Sequence, residues 1–297
     1  MRVACVGEAM VELSLEASGQ AAQVGFAGDT LNTAIYLKRA APSLEVSYVT
    51  RLGRDAFSAR LLAFIRAEQI DTDCVEISDA RRVGLYAIST DAAGERSFTY
   101  WRETSAARQM FQKGAGCDFA ALQDFDVVYL SAITLAILPE RVRSEFYNWA
   151  GGFRGAGGRI AFDSNYRPAL WTNSAVAKKE IGRWSKFADF ALPSVDDEMQ
   201  IYGENSVDDV ASRWRDWGPR DGALKCGPGG PISLGEPVEA AYPAAATVVD
   251  TTAAGDSFNG GYLAARLTGA PQAEALMAGH NLAARVVGVK GAILPRG

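Results

Sequence analysis

The sequence predicts an α/β fold on a mainly parallel sheet covered by helices on both faces, with a small antiparallel sheet inserted into it. Three observations carry that expectation. Short apolar or β-branched runs alternate with runs of helical period, the rhythm of βαβ units. Two stretches, 8–27 and 83–103, break the rhythm and alternate apolar with polar residues. The chain has 297 residues, 48% hydrophobic and 22% charged, which suits one large α/β domain spanning 1–297 with an ordinary enzyme composition.

Residues 2–6 read as a buried first strand. Residues 28–40 open on Gly-Asp-Thr and continue as a helix. A strand over 45–50 precedes a helix over 56–70, with Phe57, Leu61, Phe64 and Ile65 on one face. Residues 127–130 form a strand, and 140–150 a helix carrying Val142, Phe146 and Trp149 at helical spacing. Strands follow at 159–163, 190–192, 223–225 and 248–250, and Phe258, Tyr262, Leu263 and Leu267 mark a helix after the last of them. In the second irregular stretch, 84–90 and 97–102 flank Asp91-Ala92-Ala93-Gly94-Glu95, a hairpin turn. These inserted pieces are expected to form a lid, and 237–246 a surface loop.

Composition removes several classes of function. A net charge of −5 disfavours a nucleic-acid partner. No apolar run approaches the ~18 residues that span a membrane, and the first residues lack the pattern of a cleavable signal, so the cytosol is expected. The four cysteines have no CxxC spacing, which argues against zinc and a disulfide framework. With His280 as the single histidine, Ser-His-Asp chemistry and multi-histidine metal sites are improbable. Acid–base work falls to carboxylates.

The most specific stretch is Asp250-Thr251-Thr252-Ala253-Ala254-Gly255-Asp256-Ser257-Phe258-Asn259-Gly260-Gly261. Strand, small-residue turn and helix together point backbone N–H groups at an anion. The N–H groups of Ala253, Ala254 and Gly255 are expected to hold a transferring phosphate while Asp256 takes a proton from a substrate hydroxyl. An isolated Asp before a helix would be only a cap. The length and small-residue density of this segment favour the catalytic reading. Gly28, Asp29 and Asn32 begin another helix with short polar groups suited to sugar hydroxyls.

Here the chain resembles the ribokinase-like (PfkB) carbohydrate kinases. Their C-terminal signature is similar to Asp250–Phe258, and their N-terminal one to Gly25-Phe26-Ala27-Gly28-Asp29-Thr30-Leu31-Asn32-Thr33-Ala34. The resemblance covers essentially the whole chain. It implies the ribokinase-like three-layer α/β/α fold, ATP and Mg²⁺, and sugar contacts at Gly28, Asp29 and Asn32. A monovalent cation such as K⁺ near Asp250 is left open.

Tyr86, Tyr100 and Arg102 fall on the expected lid. Tyr100 and Arg102 are two apart and so face one side. Arg167 follows the strand over 159–163, at the sheet edge where α/β proteins bind ligands. Two arginines aimed at one cleft suggest an anionic group on the substrate. Within the family the chain resembles most the 2-keto-3-deoxygluconate kinases, through Gly7-Glu8-Ala9-Met10-Val11-Glu12-Leu13, Tyr100-Trp101-Arg102, Asn165-Tyr166-Arg167-Pro168 and Gly291-Ala292-Ile293-Leu294-Pro295-Arg296. That subgroup phosphorylates the 6-hydroxyl of a keto sugar acid. Kinases for fructose, ribose or 2-keto-3-deoxygalactonate, and a non-catalytic sensor on the same fold, are the alternatives.

Lys225-Cys226-Gly227-Pro228-Gly229-Gly230 resembles the family's turn near ATP, implying nucleotide contacts at Lys225, Gly227 and Gly230, with Ser194 and Asn281 beside them. His280 is expected to be a packing or helix-surface residue. The family's Asn-x-x-Glu element, tied to Mg²⁺, corresponds to Ser194 through Asp197, with Ser for Asn and Asp for Glu, so Asp197 would act through a metal-bound water. A homo-oligomer formed through the lid is also expected, because an exposed sheet face calls for a partner.

Overall fold

The computed structural model describes residues 1–16, 20–90 and 96–296. In chain order the strands and helices begin with β1 (Arg2–Val6), β2 (Met10–Leu15), β3 (Ala22–Ala27), α1 (Asp29–Ala40), β4 (Glu45–Leu52), α2 (Ala56–Ala67) and β5 (Val75–Ile77). There follow β6 (Gly84–Thr90), β7 (Arg96–Trp101), the short pair β8 (Gln112–Lys113) and β9 (Gly116–Cys117), β10 (Val127–Ser131), α3 (Ala132–Ile137) and α4 (Glu140–Gly155). The chain continues through β11 (Arg159–Asp163), α5 (Ser174–Ser185), β12 (Phe190–Ala191), α6 (Val195–Tyr202), α7 (Val207–Trp217), β13 (Asp221–Lys225) and β14 (Pro231–Ser233). It closes with α8 (Ala254–Leu267) and α9 (Gln272–Val286).

The main sheet runs β14-β13-β12-β11-β10-β1-β4-β5, parallel except for the β13–β14 edge. The period-2 alternation of a strand splits its side chains between two cores. Val3 and Cys5 of β1, with Val127 and Tyr129 of β10, pack with Leu31, Ile35, Phe258 and Tyr262 of α1 and α8. Ala4, Val6, Val128 and Leu130 point the other way, to Phe146, Trp184 and Trp214 of α4, α5 and α7. This is the three-layer arrangement that buried parallel sheets require. A second, smaller sheet, β3-β2-β6-β7, is built from the inserted stretches expected to form a lid.

Several expectations need correction. The lid is mixed, since β2 and β6 pair in parallel while the outer pairs are antiparallel. Residues 91–95, the expected turn, lie outside the described residues. The helix expected over 56–70 ends at Ala67, and Gln69 adopts φ 59°, which closes the helical path. Residues 248–250 are not a strand. Val248 and Val249 are 66% and 58% exposed, and the segment is tied to the end of α9 by Val249 N–H and Asp250 N–H, which donate to Val287 O at 2.7 and 3.1 Å. β-Branching there misleads because no neighbouring strand is available to pair. α5 and α7 were not foreseen; each buries only a few apolar residues, and the rest of the helix is strongly polar.

Candidate active site

Strand order reverses around β1, with β4 and β5 on one side and β10 to β13 on the other. A parallel sheet opens its crevice at such a point, beyond the carboxyl ends of the strands. The last residues of β10, β11 and β13 are Ser131, Asp163 and Lys225, so three strands deliver polar groups to that edge. Lys225 Nζ donates to Asp163 Oδ2 at 2.8 Å and to Asn259 Oδ1 at 3.1 Å, and Asn259 Nδ2 donates to Asp163 Oδ2 at 2.6 Å and to the Tyr129 hydroxyl at 3.1 Å. All four residues are buried.

Two helices bring the sequence signatures together. At Gly260 of α8 a Cβ would sit 2.6 Å from Tyr36 Cβ and 3.0 Å from Thr33 O, so only glycine lets α1 cross this closely. The crossing places Asn32 Nδ2 2.8 Å from Asp256 Oδ2, and Thr33 Oγ1 donates to Asp256 O at 3.2 Å. At the start of α1, Asp29 Oδ2 accepts from Ser131 Oγ and, at 3.0 Å, from Asn165 Nδ2. Asp29, Asn32 and Asp256 therefore share one crevice. Gly28 is fixed by close backbone approach: a Cβ there would meet Glu8 O at 2.3 Å.

The turn before α8 is shaped by Ala253, a non-glycine residue at φ 60° and ψ 16°. Such a conformation costs on the order of 1–3 kcal/mol and persists where surrounding structure enforces it, often at functional sites. Ala254 N–H turns back to Thr251 O at 3.2 Å, which removes it from the donors expected to hold a phosphate. Lys225 adds a donor on that side: a Cβ on Gly255 would lie 3.5 Å from its Nζ. The nest at Ala253 and Gly255, with an ammonium beside it, is suited to an anion.

Electrostatics set the carboxylates. Burial, then the Asp29 charge, push the Asp256 carboxyl up to about 8, against the opposing effects of the Asn32 hydrogen bond and the Lys225 ammonium. Burial also raises Asp29, against the Ser131 hydrogen bond. A carboxyl held near neutrality is poised to exchange a proton, as a general base requires.

The remaining expected residues divide. Ser194 pairs with Lys225 through an isolated parallel bridge, and Lys225 N–H donates to Pro193 O at 2.8 Å. Asp197, in the first turn of α6, accepts from Tyr166 N–H at 3.3 Å and from Arg167 Nη1 at 3.2 Å. Burial raises its carboxyl against the Arg167 charge. The adjacent Glu198 is fully buried on Arg213 and Trp214, so it is structural. Gly227 and Gly230 take φ 55° and 79° in the turn after β13, and a Cβ on Gly230 would strike the Tyr242 ring. Asn281 is not brought to this turn. It lies on the exposed face of α9, in a groove with Ala40, Gly261 and Ala264, whereas the buried His280 bonds Pro243 O at 2.7 Å. Asp250 is a clasp: its carboxylate accepts from Thr252 N–H at 3.0 Å and Gly291 N–H at 2.7 Å.

On the lid, Tyr86 is buried with its hydroxyl on Glu12, and Tyr100 packs against it at 5.7 Å between ring centroids. Arg102 lies 5.9 Å from the Tyr100 ring, so the two do share a face. The two arginines, however, are not unpaired cations awaiting an acid. Arg102 is buried and ion-paired with the buried Glu8, and Arg167 is paired with Asp197. Neither guanidinium therefore requires an anionic substrate as its counter-charge. Burial explains the first pair, since a guanidinium there needs a counter-charge whether or not ligand is bound.

Sequence reasoning missed Asp163, Asn259, Ser131 and Glu8. A signal existed for two of them. Asn259 is a polar residue between Phe258 and Gly260 on a buried helix face, and Glu8 is a lone charge in an apolar run.

The family model for pfkB family carbohydrate kinases matches residues 1–296. The chain belongs to this family. A pfkB kinase from Escherichia coli (strain K12), named 2-dehydro-3-deoxygluconokinase, is 39% identical, over 99% of this chain and 97% of that protein. Among solved structures, a PfkB protein from Polaromonas sp. JS666 has a TM-score of 0.83 at 28% identity, covering 96% of this kinase and 95% of that chain. Aminoimidazole riboside kinase from Salmonella enterica, solved with aminoimidazole riboside and an ATP analog, has a TM-score of 0.83 at 23% identity, covering 98% and 95%. Its likeness shows the ribokinase-like fold of this pfkB kinase.

Proposed function

We propose that this kinase transfers the γ-phosphoryl group of ATP to the 6-hydroxyl of 2-keto-3-deoxygluconate, giving 2-keto-3-deoxy-6-phosphogluconate and ADP. The observation that carries phosphoryl transfer is the Asn32–Asp256 contact, which joins a polar substrate cradle to an anion nest. The choice of a sugar acid is supported by the similarity to 2-dehydro-3-deoxygluconokinase.

In this reading Asp29 and Asn32 orient the sugar beside Asp256, and the backbone at Gly28, held against Glu8 O, borders it. Asp256 accepts the proton of the 6-hydroxyl as that oxygen attacks phosphorus and the bond to the departing ADP oxygen breaks. Ala253, Gly255 and Lys225 hold the transferring phosphoryl oxygens. Tyr86, Tyr100, Arg102 and Arg167 close over the sugar acid from the lid and from the strand-end loop, and closure excludes water. Ser194, Gly227 and Gly230 border the nucleotide.

A divalent ion is the family's usual companion of ATP. Among the described residues no cluster of three or more His, Cys, Asp or Glu side chains could hold a metal. Mg²⁺ would bind through phosphate oxygens and waters with one or two carboxylates. Asp197 is the candidate carboxylate, and the ion would neutralise phosphate charge. At Asp250 the backbone N–H groups of Thr252 and Gly291 donate to the carboxylate, which supports a structural clasp there; a monovalent cation beside it stays open.

Among the described residues no helix is long and apolar enough to cross a membrane. The reading places the enzyme in the cytosol, with its four cysteines unpaired. The lid's exposed aromatics, Phe98 and Tyr100 on one face of β7 and Trp101 on the other, 44%, 45% and 56% exposed, support a homo-oligomer formed through the lid.

The test is ADP release with ATP and Mg²⁺ across 2-keto-3-deoxygluconate, its galactonate-derived epimer, fructose and ribose. Turnover confined to the sugar acids is expected. Faster turnover of fructose or ribose would replace the substrate assignment, and no turnover of any sugar would favour a sensor.

A further inference from the structure

We propose that this kinase carries a second anion site, at the root of the lid, that takes a small organic phosphate. Outside the crevice with Asp256, a cavity of about 450 Å³ opens between the lid root and the body. That volume is in the range of ordinary small-molecule pockets. None of the residues assigned to the sugar, the nucleotide or the base lines it.

Its charge is organised. Arg81, just before β6, Arg108, just after the lid, and Arg143 of α4 all line it. All three are half-buried, and none makes an ion pair among the described residues. The two lining carboxylates, Glu103 and Glu140, are exposed at the rim, and neither is bonded to these arginines. The interior is therefore positive on a protein whose net charge is −5. The first turn of α4, at Pro139 and Glu140, also lines the cavity, so the positive end of a 16-residue helix adds to the same field.

The walls are held in place. Arg143 Nη1 donates to Leu138 O at 2.8 Å, and its guanidinium lies 5.6 Å from the centroid of Trp171. Gln112 Nε2 donates to Arg108 O at 2.9 Å. Three guanidiniums match a dianionic phosphate, whose oxygens take bidentate donors. The volume beyond that group, with the Trp171 wall, has room for a short polyol or sugar-acid body. A ligand bridging Arg81 and Arg108 to Arg143 would tie the lid root to the body.

The proposal is independent of which sugar is phosphorylated, and its test reads binding directly. Isothermal titration of the full enzyme, its crevice first filled with 2-keto-3-deoxygluconate and ADP, would use 6-phosphogluconate, gluconate and inorganic phosphate as probes. Wild type is expected to bind 6-phosphogluconate, with gluconate much weaker. In R81Q/R108Q that binding weakens by about tenfold or more, while KM for the phosphorylated sugar and the melting temperature stay unchanged. Should the double variant fail to fold, R108E alone reverses one half-buried, unpaired charge and serves instead. Binding undiminished in these variants would overturn the site. Binding of inorganic phosphate with exclusion of 6-phosphogluconate would overturn the organic-phosphate assignment.

Discussion

The molecule contains two buried ion pairs beside its crevice, and they are built differently. In the body, Lys225 and Asp163 are bonded to each other and to Asn259, and Asp163 Oδ1 also accepts from Asn165 N–H at 3.0 Å. At the lid, Arg102 and Glu8 meet in one contact, and among the described residues Glu8 Oε1 and Arg102 Nε are buried without partners. A fully satisfied network is rigid, whereas a half-satisfied one leaves unmet hydrogen-bonding capacity. The contrast assigns preorganised chemistry to the body and unfinished recognition to the lid, where a ligand can supply what the protein does not.

The largest effect tests the body. Asp256→Asn is expected to lower kcat by about 10²–10⁴-fold, with KM for the sugar little changed, because it removes only the base. The same variant has a second signature. The folded Asp256 carboxyl is raised to about 8, well above its unfolded value, so between those values the folded state holds a proton that the unfolded state has lost. This contribution therefore favours folding at low pH and fades as pH rises toward 8. Asp256→Asn should raise the melting temperature more at pH 8 than at pH 5. Equal shifts at both would contradict the raised carboxyl. In the wild type kcat/KM should climb with pH through this range as the base deprotonates.

Next in size is Lys225→Met, which strands Asp163 as a buried charge. Breaking a buried pair typically costs about 3–5 kcal/mol. Chemical denaturation should show that loss, and adding Asp163→Asn should recover much of the stability without recovering turnover. If the double variant were no more stable than the single, the network would not be the unit described.

The lid pair should respond more weakly and in a ligand-dependent way. Glu8→Gln keeps a hydrogen-bond acceptor but removes the counter-charge, at a cost of about 1–3 kcal/mol. A sugar acid should then stabilise the variant more than it stabilises the wild type, since its carboxylate replaces Glu8 beside Arg102. Fructose should not. Thermal shifts with both ligands decide it, and identical shifts for the two proteins would remove Arg102 from substrate recognition.

Much of this site was legible in the sequence, for identifiable reasons. Asp256, Asn32 and Gly260 sit in dense local patterns whose small residues have geometric causes, and the helix crossing at Gly260 turns two separate signatures into one contact. The alternation that marks parallel strands gave the body, because burial on both faces leaves a strong apolar signal. The rest is non-local. Asp163 and Lys225 are 62 residues apart, and Glu8 and Arg102 are 94 apart. A charge alone in sequence reveals neither its partner nor whether that partner already exists, so Arg102 and Arg167 suggest an anionic substrate until Glu8 and Asp197 are found beside them. Val248 and Val249 show the converse, a strong local strand preference overruled by the absence of a neighbour.

The smallest expected effect on the folded chain concerns the lid's outer face. Trp101 is 56% exposed, so Trp101→Ser forfeits little intramolecular burial and should change monomer stability by no more than about 0.5 kcal/mol. Phe98 and Tyr100, on the opposite face of β7 from Trp101, are stacked at 6.4 Å and give the lid a second aromatic surface that a partner could cover. Sedimentation of Phe98→Ser/Trp101→Ser should therefore show a lower association state than the wild type at equal concentration. Substrate KM is the informative companion measurement. Tyr100 and Arg102 share a face with that patch, so covering the lid also restricts the strand that carries them. A variant that dissociates and also loses affinity for the sugar acid would mean that the unfinished half of the site is completed partly by assembly. A variant that dissociates with KM intact would leave that task to the ligand alone.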